Sequence, residues 1–458
     1  MRDYSHLIDR PEPTERLFVS EAVEDAIADT SKKIADPILK RIFRQTTPNT
    51  LDTATYHVTR DDGQPDTYIA TGDIPAMWPR DTYRQVKLYI PFAREDENLR
   101  QMIAGVIYRL TKCIQMDPYA NAFRHPHMKD APKNKRWGPG KKWHEGVWER
   151  KYELDSLLAY IQLIVDYVNE TGDMSVITKE VVGTLEDALS VIRTEQGDVT
   201  KDRDKRMYRA IRPSGFPMPK FVRSWGKGPR NNEVGLSRCL YRPSDDEVER
   251  PYLIPANAMA VVALNGMSKV LPSVMQRDLA IQFEVLAQEI DDAIWHHGTV
   301  DHPKYGKIFA YETDGFGNHN LMDDPNIPSL LSLPYMKYIS SENEVYQNTK
   351  RFILSEDNRF YAKGLYEGMS SPHVDPDYIW HLGILTEIMV SDDDEQIANR
   401  LKVLTETTAG TGFMHESFHK NNPYQFTRPW FCWANSMCGE MIFDLAKRKP
   451  WLLDDEIK

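Results

Sequence analysis

From Leu99 to Ile114 the apolar residues Leu99, Met102, Ile103, Val106, Ile107, Leu110 and Ile114 return every three or four positions. That spacing puts them on one face of a helix, and a helix with one apolar face must bury it against a neighbour. Leu154, Leu157, Leu158, Ile161, Ile164, Val165 and Val168 form a second stripe, which Gly172 ends. Similar patterns cover about 18–34, 81–93, 175–193, 255–270, 275–296, 328–354, 377–391, 394–408 and 429–447. Asp36-Pro37 adds a cap followed by proline at the first helical position. Period-two runs are short and scarce, as near Lys307 to Glu312. Roughly a dozen helices in sequence order, without a repeat of about 30–50 residues, predict a closed toroid of antiparallel helix pairs rather than a solenoid. The chemistry of such a toroid sits on the loops at one rim.

With 458 residues, 41% of them hydrophobic, the chain can bury a large core. The length allows one closed architecture or two or three domains, and the helix count favours one. A formal net charge of -11 argues against sequence-independent nucleic-acid binding, which needs a basic surface to neutralise phosphates. The polymer it acts on is expected to be uncharged. Met1-Arg2-Asp3-Tyr4 opens no apolar signal core, and no run approaches the roughly 18 consecutive apolar residues of a membrane span. A soluble, cytoplasmic protein without a membrane partner is the expectation. Cys113, Cys239, Cys432 and Cys438 are too few and too irregularly spaced for a disulfide framework or a CxxC metal site, and read as reduced core residues.

The unusual residues lie between the helices, as they do when a scaffold carries a site on its loops. Asn121 to Arg150 is rich in Lys, Arg, His and Trp, and Gln196 to Gly235 mixes basic residues with Gly, Pro and Trp225. These segments read as solvated loops or as the aromatic rim of a carbohydrate cleft, in preference to a nucleic-acid surface.

Four constellations carry the chemistry. In Thr71-Gly72-Asp73-Ile74-Pro75-Ala76-Met77-Trp78-Pro79-Arg80-Asp81 a broken loop delivers Trp, Arg and Asp as a helix starts. Asp81 reads either as that helix's cap, with Arg80 as its ion-pair partner, or, with Arg80, as a clamp on vicinal hydroxyls beneath a Trp78 stacked on a sugar face. Glu153 and Asp155 open an amphipathic helix, where negative charge suits the macrodipole, and read as a well-made N-terminus. In Tyr241-Arg242-Pro243-Ser244-Asp245-Asp246 the adjacent acids are a solvated cap unless the turn faces a cleft. There, burial and the neighbouring carboxylate would keep one Asp protonated near neutral pH as an acid. Last, Glu416 lies between aromatics and histidines in Gly412-Phe413-Met414-His415-Glu416-Ser417-Phe418-His419, with Phe426-Thr427-Arg428-Pro429-Trp430-Phe431-Cys432-Trp433-Ala434-Asn435 downstream. His415 to His419 also fits H-E-x-x-H, a zinc-protease spacing that requires a helix. Gly410-Thr411-Gly412 before it and Asn421-Asn422-Pro423 after it leave no room for one. Two carboxylate sets among sugar-binding residue types, at Asp245 and Glu416, point to glycosidic-bond hydrolysis, which normally needs an acid and a base or nucleophile.

The runs T-G-D-I-P-A-M-W-x-R-D, D-P-Y-A-N-A-F, W-E-R-K-Y-E-x-D-S-L, R-P-S-D-D, Y-L-I-P-x-N, D-G-F-G-N, M-D-D-P-N-x-P-S-L-L, G-T-G-x-M-H-E-S-F-H and W-F-x-W-A-N-S, spread in one order from about Asp52 to Leu445, resemble glycoside hydrolase family 125, the exo-α-1,6-mannosidases. The resemblance implies an all-α fold, an (α/α)6 barrel with short β-hairpins on its rim, forming one catalytic domain over residues 1–458. It also implies hydrolysis of non-reducing terminal α-1,6-linked mannose with inversion, a mannose-containing oligosaccharide as partner, and no metal or other cofactor. Asp245 would be the general acid and Glu416 the general base. Trp78, Arg80, Asp81, Asp155, Arg242, Asp246, His373 of the Ser371-Pro372-His373 turn, and His415 would bind the sugar. Pro79 stands where the family pattern has Leu, and Gln196 to Gly235 matches poorly, which leaves the aglycone side open. The rival readings are a glucoamylase- or trehalase-like (α/α)6 hydrolase, a histidine-dependent sugar epimerase, and a non-catalytic carbohydrate-binding protein.

Overall fold

Side chains that cap helices separate the helices of this protein into two kinds. The structure, a computed structural model, describes residues 10–126, 144–202, 207–209, 226–454 and 457. Among them are thirteen α-helices: α1 (Glu21–Ser31), α2 (Pro37–Thr46), α3 (Asn49–Ala54), α4 (Pro79–Lys87), α5 (Glu97–Met116), α6 (Leu154–Thr171), α7 (Lys179–Thr194), α8 (Ile254–Val270), α9 (Arg277–His297), α10 (Glu344–Ile353), α11 (His381–Met389), α12 (Asp394–Glu406) and α13 (Cys432–Arg448). Ser20, Asp36, Asp96, Thr178, Asn343 and Asp393 accept backbone N–H bonds at the starts of α1, α2, α5, α7, α10 and α12. These are ordinary N-caps, each worth about 1 kcal/mol. By contrast α4, α6, α8, α11 and α13 begin at Trp78, Glu153, Leu253, Trp380 and Phe431, none of which caps through its side chain.

These five helices are the inner layer, although α3 and the outer α9 also begin without a side-chain cap. Helix α4 packs on α6, α6 on α8, α11 on α13 and α13 back on α4, while α2, α5, α9 and α12 lie against this layer from outside. Inner and outer helices alternate along the chain, the arrangement of an (α/α)6 fold. One hydrophobic core runs through the molecule from Val23 to Leu453. Helix α8 is apolar all round because its neighbours cover it. The stretch Ile254–Val274 is long and apolar enough to cross a membrane, but most of it is buried here within the protein.

Short strands fix where the inner helices start. Three three-stranded sheets form at the rim: Ala76–Met77 with Ala122–Arg124 and Val147–Glu149; Tyr252–Leu253 with Glu312–Thr313 and His319–Asn320; and Tyr378–Trp380 with Ser417–His419 and Asn422–Thr427. One strand of each runs into α4, α8 or α11, so pairing at the rim sets the position of a helix N-terminus. Pro79, where a Leu was expected, occupies the first position of α4, where its missing N–H costs no intrahelical bond.

The structure departs from the helical periodicity in three places. The segment 328–354 is not one helix. Its first half is buried turns around Ser329 and Ser332, with the backbone N–H groups of Leu330 and Leu331 donating to the buried Asp323, and only α10 is helical. Pro334 removes a donor that a continuous helix needs. The segment expected as 81–93 ends at Lys87 and continues as a 3-10 turn over Ile90–Arg94. Residues 378–380, inside the stripe at 377–391, form a strand before α11 starts. All four cysteines are buried and unbonded. Trp225, much of the poorly matching 196–235 segment, and the basic stretch 127–143 lie outside the described residues.

Candidate active site

The N-termini of α4, α11 and α13 converge. Trp78, Arg80 and Asp81 from the start of α4, Asp245 from the turn after Arg242, His373, Trp380 from before α11, Glu416, and Phe431 and Trp433 from the start of α13 line one cavity of about 40 Å³. Positive helix ends suit the acids gathered there. The indole N–H groups of Trp78, Trp380 and Trp433 are buried and have no acceptor among the described residues. Buried donors of this kind ordinarily have partners.

The turn Arg242–Asp245, closed by the Asp245 N–H to the Arg242 carbonyl at 2.9 Å, holds Asp245 at φ 65. Asp tolerates this left-handed conformation better than most residues. The turn separates the two acids. The Asp246 carboxylate meets the His373 ring at 3.3 Å, and that bond, opposed by burial, raises the imidazole to about 9. Further contributions from the charges of Glu416 and Asp245 place the His373 cation in the field of both candidate catalytic groups. Asp245 itself meets a different set. Asn121 Nδ2 lies 3.1 Å from its Oδ1, and Lys151 Nζ lies 4.0 Å away. Burial pushes its carboxyl up, but the charges of Lys151 and Arg80 and a hydrogen bond with Glu153 outweigh this and hold it at about 2. The expectation that burial and the adjacent Asp246 carboxylate keep Asp245 protonated is therefore not met in the resting structure, where burial instead raises the neighbouring Glu153 well above the usual carboxylate range.

Glu153 is not the N-terminal decoration its position suggested. It makes no cap bond; its Oε2 accepts from Arg80 Nη1 at 2.7 Å and from Ser156 Oγ, and its Oε1 from Asn121. Asp155 also faces Arg80, at 3.4 Å. Arg80 spans Asp81, Glu153 and Asp155, and with burial as the chief cause Asp81 rises to about 6. Breaking so buried a set by removing one partner costs about 3–5 kcal/mol.

Glu416 stands in a simpler place. Its Oε2 accepts from Thr427 Oγ1 at 3.0 Å, and Arg428 Nη1 lies 3.7 Å from Oε1. Arg428 is anchored in turn to Asp73 at 2.6 Å and lies over the Phe431 ring. Residues 417–419 are a strand, so the H-E-x-x-H spacing lies on no helix. His415 stacks on Phe426 with ring centroids 3.8 Å apart, its Nε2 donates to the Thr408 carbonyl, and burial lowers it to about 4.

Of the residues expected at the sugar, Trp78, Arg80, Asp81, Asp245, His373 and Glu416 thus share the cavity wall, and four do not. Asp155 stands behind Arg80, Asp246 behind His373, and His415 behind Glu416 as a fully buried brace. Arg242 pairs with the buried Glu312 at 2.6 Å beneath the turn that carries Asp245. Sequence reasoning placed Arg428, Phe431 and Trp433 near Glu416 without giving them a role, and missed Asn326 and Trp380 in the wall and Asn121, Glu149 and Lys151 behind Asp245. One signal was available: an aromatic residue directly before a helical stripe, at Trp78, Trp380 and Phe431. The M-D-D-P-N run explains another, since Asp324 accepts from Asn326 and from Ser371, tying a wall residue to the His373 turn.

Comparison with known proteins agrees with this geometry. The sequence profile of the metal-independent α-mannosidases, glycoside hydrolase family 125, matches residues 36–443. A Schizosaccharomyces pombe relative, the meiotically up-regulated gene 157 protein, is 38% identical over 97% of this chain and 89% of its own. A metal-independent α-mannosidase of Streptococcus pneumoniae, solved as a non-productive complex with α-1,6-mannobiose, superposes with a TM-score of 0.85 at 33% identity, over 94% of this chain and all of that one. The glucoamylase of Saccharomycopsis fibuligera shares the fold at a TM-score of 0.51 and 11% identity, over 94% of this chain and 97% of its own. The chain belongs to glycoside hydrolase family 125, the metal-independent α-mannosidases, and has their (α/α)6 fold.

Proposed function

We propose that this protein is an exo-acting α-1,6-mannosidase that releases non-reducing terminal mannose with inversion. The observation that carries the reading is the pairing of Asp245 and Glu416 in the wall of one small, aromatic-lined cavity. The α-1,6 linkage is supported by the mannobiose bound to the S. pneumoniae relative.

In this mechanism Asp245 donates a proton to the glycosidic oxygen as the C1–O bond lengthens, and the bonding pair passes to that oxygen. Glu416 accepts a proton from a water that attacks C1 on the opposite face, giving β-mannose. A carboxyl separation of roughly 6.5–9.5 Å leaves room for that water. Arg80 and Asp81 fix hydroxyls, and a polar contact to the axial 2-hydroxyl selects mannose over glucose, because the wrong epimer leaves a buried polar group unpaired. The test is sugar release from α-1,2-, α-1,3- and α-1,6-mannobiose and matching glucosides, with NMR of the first product. Mannose from the α-1,6 compound, β before mutarotation, is expected. Preferential glucose release would overturn the substrate, and α-mannose released first would replace single displacement by a covalent intermediate.

A further inference from the structure

Behind Asp245 lies a cluster that positioning alone does not explain. The Asn121 side chain, fully buried, has one amide nitrogen with two hydrogens, yet it lies 3.1 Å from oxygens of three carboxyl groups: Glu149, Glu153 and Asp245. Its own oxygen accepts from the Lys151 backbone N–H at 2.9 Å, which fixes the amide's orientation. Glu153 and Asp245 also hydrogen-bond to each other, and two carboxyl groups do so only with a proton between them.

The charges require the same thing. Four carboxyl groups, Glu149, Glu153, Asp155 and Asp245, meet here, facing two cations, Arg80 and Lys151. Asp81 adds a fifth acid on the α4 side, His373 faces Asp245 across the cavity with its charge matched by Asp246, and Tyr241 faces Glu149 and Glu153. Fully ionised, the cluster would hold surplus negative charge out of water, which proteins relieve by retaining a proton. Glu149 and Lys151 keep side-chain exposures of 16% and 20%, so the cluster has one edge at solvent.

We propose that Glu153 is a positioning residue that shares one proton with Asp245 and supplies it to the general acid. The inference rests on the mannosidase reading above and adds a proton source to it. At rest the shared proton lies on Glu153, and Asp245 is a carboxylate held by Asn121 and Lys151. As the glycosidic oxygen approaches Asp245, the proton crosses from Glu153 to Asp245 and on to that oxygen as the C1–O pair moves to it. Glu153 is left as a carboxylate on Arg80, and Glu416 carries the proton taken from water. Release of that proton to solvent and uptake of one through Glu149 restore the resting state. Asn121 holds the three carboxyl groups in line for the transfer.

Two variants test this with opposite signs. Glu153→Gln keeps an acceptor for Arg80 but carries no transferable proton, and its amide donates to Asp245 and favours the carboxylate. The alkaline limb of kcat/KM for α-1,6-mannobiose should move down by at least about one pH unit, with a loss of roughly 10²-fold near neutrality, while the acidic limb stays in place. On an aryl α-mannoside with a good leaving group the loss should be within about tenfold. Asn121→Asp removes the donor and adds negative charge, so its alkaline limb should move up. Structural damage would lower activity on both substrates without moving the limbs in opposite directions. Should one variant fail to fold, the other's shift decides. An unmoved alkaline limb in the folded variants overturns this inference alone, whereas a wild type that cleaves no α-mannoside overturns the substrate reading first.

Discussion

The two walls of the cavity solve opposite problems with different materials. In the proposed mechanism a carboxyl group on the Asp245 wall gives up a proton, and there the chain packs further carboxyl groups, one amide and two cations around it. On the Glu416 wall a carboxylate must receive one, and its polar partners are one hydroxyl, Thr427, and one guanidinium, Arg428. The first wall is built on the starts of α4 and α6, the second on the sheet of strands Tyr378–Trp380, Ser417–His419 and Asn422–Thr427. Crowding acids raises the proton affinity of some of them, here Glu153. In the proposed mechanism the choice of acid is thus a matter of company rather than of residue type.

The largest effect should come from the sparse wall. In the proposed mechanism Glu416→Gln removes the group that takes the proton of the attacking water, so mannobiose and aryl mannoside should both lose turnover, on the order of 10³-fold, with mannoside binding retained. A variant that keeps the aryl substrate's rate would show that the water is activated from the other wall. Asp245→Asn should behave differently. A general acid matters in proportion to how poor the leaving group is, so mannobiose cleavage should fall roughly 10³-fold while a nitrophenyl mannoside loses about tenfold. Asp246→Asn, which touches His373 instead, should depress both substrates alike. A leaving-group effect at Asp246 would exchange the roles of the two acids.

The base wall can also be sharpened by a smaller change. Thr427→Val keeps shape and removes the hydroxyl that donates to Glu416 Oε2 at 3.0 Å. A bond to a charged acceptor is worth about 1.5–3 kcal/mol, so kcat should drop at least tenfold with KM little changed. A larger rise in KM than fall in kcat would mean that Thr427 serves the sugar and not the base.

The sequence exposed these two walls unequally, for physical reasons. Helical stripes are local, so α5 and α6 could be read almost to the residue, and outer helices other than α9 announce themselves by caps such as Asp36. Inner helices begin without caps, which is why the start of α11 was placed at 377, ahead of the strand that ends at Trp380, and a proline-interrupted, buried turn near Ser329 was taken for helix because its apolar spacing is helical. Asp245 and Glu416 stood out through their motifs. The partners that give Asp245 its company did not, because Asn121 and Glu153 reach it only through the folding of three separate segments, and an acid at a helix N-terminus has an ordinary explanation.

The smallest expected effect, none, comes from metal removal, and it tests whether the base wall is as plain as it looks. His415-Glu416-Ser417-Phe418-His419 has the letters of a zinc site, but a helix would put the two histidine Cα atoms about 6 Å apart along its axis and an extended segment about 13 Å. Here the run enters a strand, with a register shift between Phe418 and His419. His415 is committed elsewhere, stacked on Phe426 and donating to the Thr408 carbonyl, and His419 packs edge-on against Tyr378. Drawing both rings onto one zinc at about 2.0–2.1 Å would dismantle that packing. Dialysis against a strong chelator should leave kcat/KM on α-1,6-mannobiose unchanged, and added zinc should not raise it. His419→Ala should likewise keep wild-type rates. Activity lost to the chelator and restored by zinc would make Glu416 a metal-assisted base and erase the contrast between the two walls.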